Sequence, residues 1–225
     1  SSDSTVLRNT IKADLAAGLT PAGVICVTGA TSMGACDDIA AMVTVAKEFD
    51  LYIHVDAAWA GSAMICEEFR KLWQGVEDAD SVVLNPHKWL GVQFDCSAHF
   101  LKTPSDLVRT LAIHPEYLKT HGQDGVINYS EWSIPLGRRF RALKLWFLLR
   151  SYGLEELRTR IRNHVNWSIS LAEKLRQKPG FEITTDPILS LFTFRYLPVN
   201  SEDYDDFTQQ LVELINNYGR IYLTQ

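Results

Sequence analysis

The chain has 225 residues, 46% of them hydrophobic and 22% charged, with a formal net charge of -5 at neutral pH. That composition supports a packed core of roughly one to one and a half ordinary domains and excludes a disordered chain. The acidic balance leaves no broad cationic surface, which argues against nucleic acid or an anionic membrane as partner and favours a small molecule.

The cysteines at 26, 36, 66 and 96 form no C-x-x-C pair, and His99, His114, His121 and His164 lack metal-ligand spacing. Neither a disulfide framework nor a metal site is read from them. The N-terminal Ser-Ser-Asp-Ser-Thr carries no basic-then-apolar segment, and no run reaches the ~18 apolar residues of a membrane span. The expectation is a soluble, cytoplasmic protein.

In chain order, Leu7, Ile11 and Leu15 predict a helix over 5–17, stopped by Gly18 and Pro21. Residues 22–28 (AGVICVT) read as a strand buried on both faces of a parallel sheet. Small residues follow from Gly29 to Ala35. Asp37 or Asp38 can then cap a helix through about Phe49, with Ile39, Met42, Val43 and Ala46 on its inner stripe. A strand over 51–55 completes a right-handed βαβ unit. Short strands are expected at 81–84 and 96–101, then helices at roughly 138–151 and 154–177. Strands near 181–184 and 190–195, a helix over 204–217 and a strand over 220–224 suggest a smaller α+β unit. The irregular stretch from about Ile113 to Ile134 is long enough to be functional.

In an open α/β sheet, ligands bind outside the carboxyl ends of the strands. Three predicted strands end there in polar residues: Thr28 and Thr31 after the first, Asp56 after the second, and Asn85, His87 and Lys88 after the third. Taken singly, Asp56 could cap a turn, His87 could be a satisfied core histidine and Lys88 one of many solvated lysines. Their convergence raises the functional reading. A lysine beside apolar Trp89 and Leu90 is expected to be partly desolvated, which favours its neutral, nucleophilic form. A carboxylate on the neighbouring strand is what a protonated pyridinium nitrogen requires.

The segments H-V-D-A-A-W at 54–59, N-P-H-K-W at 85–89 and F-D-C-S-A at 94–98 closely resemble the group II pyridoxal-phosphate-dependent decarboxylases. Within that family the resemblance is strongest to members acting on aromatic L-amino acids. The segments A-A-G-L-T-P at 16–21, H-P-E-Y-L-K at 114–119 and I-P-L-G-R-R-F-R at 134–141 extend it over essentially the whole chain.

The resemblance implies a fold-type-I, transferase-like α/β architecture: part of a large, mainly parallel domain over 1–143, and a small α+β domain over 144–225. It implies that pyridoxal 5'-phosphate is held covalently by Lys88, with Asp56 on the pyridinium nitrogen and Ala58 against the ring. Asn85 and His87 would hold the phosphate, and Thr31 would lie near the phenolic oxygen. Tyr117 would sit on a mobile loop closing over substrate, and Gly137 would line the substrate pocket. It also implies a homodimer with shared active sites, and places the phosphate loop and ring-stacking histidine of such enzymes upstream of Ser1. The alternatives are an aldehyde synthase on the same scaffold, against which Tyr117 argues, or a cofactor-free binding module, against which Asp56, His87 and Lys88 argue. Gly137 and the arginines after it can also be read as an anion site at a helix start or as an interface.

Overall fold

A computed structural model describes residues 3–112, 127–197 and 204–224. Helix α1 (Ser4–Ala16) begins where the Asp3 carboxylate accepts the Thr5 N–H, and it gives way to Gly18 at φ 78°. Strand β1 (Gly23–Val27) leads through a small-residue loop to α2 (Ile39–Glu48), whose start is capped by Asp38 accepting the Ala41 N–H. Strands β2 (Tyr52–Asp56), β3 (Ser81–Leu84) and β4 (Ala98–Leu101) complete a sheet of order β1-β2-β3-β4. The first three strands are parallel and β4 runs antiparallel to β3. The carboxyl ends of β1, β2 and β3 therefore share one edge of the sheet.

Helix α2 buries the predicted stripe, Ile39, Met42, Val43 and Ala46, in one cluster with Cys26, Ile53 and Val55 of the sheet. The opposite face is bare at this end: Ile25 is 69% exposed and Tyr52 46%. The β2–β3 connection folds as 3-10 turns over Ala60–Ile65, Glu67–Trp73 and Val76–Asp78, with Trp73 buried beneath them.

Helix α3 (Pro104–Leu111), which is not among the predicted elements, opens on a proline whose fixed φ suits a first helical turn. Helix α4 (Arg141–Arg176) is interrupted at Gly153, where φ 72° and ψ 169° are open essentially to glycine alone. The two helices predicted on either side of that residue are thus present as two arms of one element. The first arm leaves Trp146 and Phe147 exposed, whereas the second buries Leu157, Ile161, Val165 and Ala172 along one stripe. Strands β5 (Phe181–Ile188) and β6 (Leu191–Tyr196) pair antiparallel, and α5 (Tyr204–Tyr218) packs on β6. The architecture is the expected one, a mostly parallel sheet followed by a small α+β unit.

The strand expected over 220–224 is absent. Asn216 of α5 captures that segment instead, its amide donating to the Leu223 carbonyl at 2.9 Å and its oxygen accepting the Leu223 N–H at 2.7 Å. A side chain that pairs with the backbone in this way competes directly with a sheet ladder. Among the described residues no helix is long and apolar enough to cross a membrane.

Candidate functional site

Three loops leave the shared sheet edge, and the backbone locks them together. Parallel register sets Val27 beside Asp56 and Asp56 beside Val83. The Thr28 N–H donates to the Asp56 carbonyl at 2.9 Å, the Ala57 N–H to the Val83 carbonyl at 3.0 Å, and the Asn85 N–H to the Ala58 carbonyl at 2.8 Å. Gly29, at φ 80°, lies so close to the second loop that an added Cβ would stand 2.5 Å from Ala60 Cβ and 2.7 Å from Trp59 Cε3. Only glycine permits both the backbone angle and the approach.

Asp56 is half-buried at the end of β2, and its Oδ1 accepts the Ala58 N–H at 2.9 Å. That bond fixes the carboxylate and holds Ala58 beside it, while Oδ2 has no partner among the described residues. The third loop begins with a tight turn in which the Lys88 N–H donates to the Asn85 carbonyl at 2.9 Å and the Val92 N–H to the Pro86 carbonyl at 3.0 Å. Ser97 Oγ donates to Asn85 Oδ1 at 2.6 Å, which leaves the Asn85 amide hydrogens available. His87 Nδ1 lies 2.7 Å from the oxygen and 3.0 Å from the nitrogen of Cys96. In either tautomer the ring is fastened to Cys96 through Nδ1, and Nε2 is left for a ligand. Phe94 stands edge-on to the same ring, with centroids 4.9 Å apart.

The far end of this loop is anchored by the start of α4. Arg141 Nε and Arg139 Nη2 donate to the two oxygens of Asp95 at 2.9 and 3.1 Å, and Lys144 Nζ donates to the Gln93 and Asp95 carbonyls. The hydrogen bond from Arg141 holds the Asp95 carboxyl below its ordinary range. Arg139 and Arg141 therefore serve the loop. Gly137, two residues before Arg139, is exposed, and a Cβ there would meet nothing within 4 Å.

One expectation is corrected. Lys88 is exposed, so Trp89 and Leu90 do not desolvate it; they turn away and are buried on the other side of the loop. Adjacency in sequence does not give adjacency in space where the backbone turns at each residue. Thr31 is exposed in the loop after β1, and Tyr117 lies outside the described residues.

The donor set suits a planar aldehyde cofactor bearing a phosphate. It offers a primary amine, a fixed carboxylate for a protonated ring nitrogen, a methyl-sized residue beside that carboxylate, the amide N–H groups of Asn85 and the Nε2 of His87. Fold and site together define a fold-type-I pyridoxal-phosphate architecture. The sequence matches the pyridoxal-dependent decarboxylase conserved domain over residues 3–197, and the chain belongs to that family.

Among similar proteins, tryptophan decarboxylase TDC1 of Camptotheca acuminata is 40% identical over 224 residues, 97% of this chain and 45% of its own length. Phenylacetaldehyde synthase of Arabidopsis thaliana is 40% identical over 222 residues, again 97% and 45%. The solved structure of Oryza sativa TDC with PLP and tryptamine superposes with a TM-score of 0.94 at 36% identity, covering 99% of this chain and 47% of that one. The chain thus spans about half the length of the relatives it matches.

Proposed function

We propose that the whole protein decarboxylates aromatic L-amino acids to the corresponding amines and carbon dioxide, using pyridoxal 5'-phosphate bound at the edge formed by β1, β2 and β3. The observation that carries this reading is the joining of Asp56, Ala58, Asn85, His87 and Lys88 on two cross-bonded loops at that edge. Lys88 would hold the cofactor covalently, and its exposure leaves the amine accessible for that attachment. Asp56 would keep the proton on the ring nitrogen, and Ala58 would lie against the ring. His87 and Asn85 would donate to the phosphate, and Thr31 would reach the phenolic oxygen. When bound, the cofactor supplies an electron sink for the pair released as the substrate carboxylate leaves. Tyr117 would then deliver a proton to the substrate α-carbon, and Gly137 would leave room for an aromatic ring.

The same reading divides the chain at 143/144 and makes the whole protein a cytoplasmic homodimer whose sites draw on both subunits. Borohydride reduction of the whole protein supplied with cofactor, followed by peptide mapping, tests the assignment. The pyridoxyl group should be found on Lys88, and its presence on another lysine would refute the site. Incubation with a panel of amino acids, with the amines identified, tests the substrate class. The similarity to phenylacetaldehyde synthase favours one alternative on the same scaffold, oxidation of the substrate by dissolved oxygen to an aldehyde, with release of carbon dioxide, ammonia and peroxide. An amine as principal product from the aromatic panel would exclude it.

A further inference from the structure

Lys88 makes no side-chain hydrogen bond or ion pair among the described residues, so the place of its amine is set by the backbone turn that carries it. That turn is held from outside by two side chains of α4, across 70 and 75 positions in sequence. Arg160 Nη2 donates to the carbonyl of Leu90. Four residues on, and so on the same face of the helix, His164 Nδ1 accepts the indole N–H of Trp89 at 2.9 Å. Gly91, the residue after Leu90, has φ 84°, and an added Cβ there would stand 3.1 Å from Arg160 Nη2 and 3.2 Å from Nη1.

The chemistry of the pair is directional. An indole nitrogen only donates, so His164 can hold Trp89 only through an unprotonated Nδ1. Burial, with the nearby charge of Arg160, lowers the His164 pKa and so favours that neutral form. Arg160 makes its contact although its buried Nε has no partner among the described residues, an arrangement that stability alone disfavours. Trp89 is pinned on its other side by Trp59, whose ring stacks on it with centroids 5.0 Å apart and planes 18° apart. Trp59 follows Asp56 by three residues. One indole thus joins the loop bearing the amine, the loop bearing the carboxylate, and α4.

We infer that Arg160 and His164 are positioning residues for the cofactor site, holding the Lys88 turn in register with the Asp56 loop through Leu90 and Trp89. The inference rests on the proposed role of Lys88, and its test separates the two. In the whole protein, His164→Leu removes the acceptor and keeps the bulk, whereas His164→Asn restores an acceptor at the position of Nδ1. Arg160→Met removes the donor to Leu90.

The first readout is deuterium exchange of the peptide spanning 85–92 in protein without added cofactor, which does not depend on where the cofactor attaches. The second is the rate at which borohydride traps pyridoxyl label on that peptide at fixed cofactor concentration. Loss of one such hydrogen bond corresponds to about tenfold in the opening equilibrium. His164→Leu and Arg160→Met should therefore exchange about tenfold faster over 85–92, with slower labelling and an unchanged pattern over α1 and α2. His164→Asn should recover most of both. Wild-type exchange over 85–92 in His164→Leu overturns the inference. So does a loss of protection spread equally over the protein that His164→Asn does not repair, since that is global destabilisation. Label on a different lysine in the wild-type protein would overturn the role of Lys88, while the exchange data would still report on the turn.

Discussion

Gly29→Ala is the perturbation whose cost the structure lets one compute most directly. Two penalties add at that position. A residue with a Cβ held at φ 80° pays about 1–2 kcal/mol for the left-handed backbone. The new methyl group also meets Ala60 Cβ at 2.5 Å and Trp59 Cε3 at 2.7 Å, an overpacking of the kind that costs about 1–3 kcal/mol. Gly18 provides the internal control, because it has φ 78° but nothing within 4 Å of an added Cβ. Gly18→Ala should therefore pay only the backbone term. Their difference, about 1–3 kcal/mol, corresponds to a factor of about 5 to 150 in the unfolding equilibrium. Urea unfolding of the whole protein, followed by tryptophan fluorescence, reads both variants as shifts in midpoint at unchanged slope. Gly29→Ala should also weaken cofactor binding, since Trp59 and Ala60 belong to the loop that follows Asp56, and Gly18→Ala should not. Equal shifts for the two variants, with equal cofactor affinity, would refute the claim that the close approach at Gly29 aligns the loops.

Asp56→Asn should still bind the cofactor but lose activity by about a thousandfold, the equivalent of ~4 kcal/mol for a charge pair near 4 Å at an effective dielectric of 20; near-normal turnover would remove the carboxylate from the mechanism. Tyr117→Phe should release carbon dioxide yet form much less amine, with dissolved oxygen oxidising the remainder to aldehyde and ammonia and itself reduced to peroxide, and all these products can be measured from one reaction. Asp38→Ala deletes the cap of α2 and should cost about 1 kcal/mol in unfolding free energy. Glu68 pairs with Arg162, whose hydrogen bonds pull the carboxyl down from 4.5 to about 2. Its contribution should be fully present above pH 4.5 and fade as pH falls toward 2, so the gap in unfolding midpoint between wild type and Glu68→Gln should close over that window. Glu68 is exposed and Arg162 partly so, so added salt should narrow the gap at every pH.

Much of the sheet was legible because its residues obey a single local rule. Ser81–Leu84 is an apolar run stopped by Asn85-Pro86, and the structure ends β3 there; Asp38 caps α2 and the inner stripe behind it is buried as its period requires. What escaped sequence reading depended on partners distant in the chain. The small residues between 57 and 65 gave no period, and only the packed structure turns them into 3-10 helix. Helix α3 was signalled by Thr103-Pro104 but is short and buries no residue. The segment after Arg220 looked like a strand until Asn216 was seen to hold Leu223. At the site, F-D-C-S-A stood out as a motif, yet the roles of Asp95 and Ser97 became apparent only through Arg141 and Asn85. Nothing in the sequence links His164 to Trp89 across 75 positions, and its spacing from other histidines marks no metal site.

The break at Gly153 also acts as a phase reset. An unbroken helix would carry one apolar stripe along its length and could present a single grip to the loop it faces. By stepping out of helical geometry at one residue, α4 gains two independently oriented arms. One grasps the loop at Asp95 through Arg141 and Lys144, with Arg139 just ahead of it, and the other grasps it at Trp89 and Leu90 through Arg160 and His164. The loop is a short span clamped at both abutments, and the angle between the arms is set largely by the two backbone dihedrals of a single glycine. The spacing of the two grips along the loop is thereby tied to those two angles.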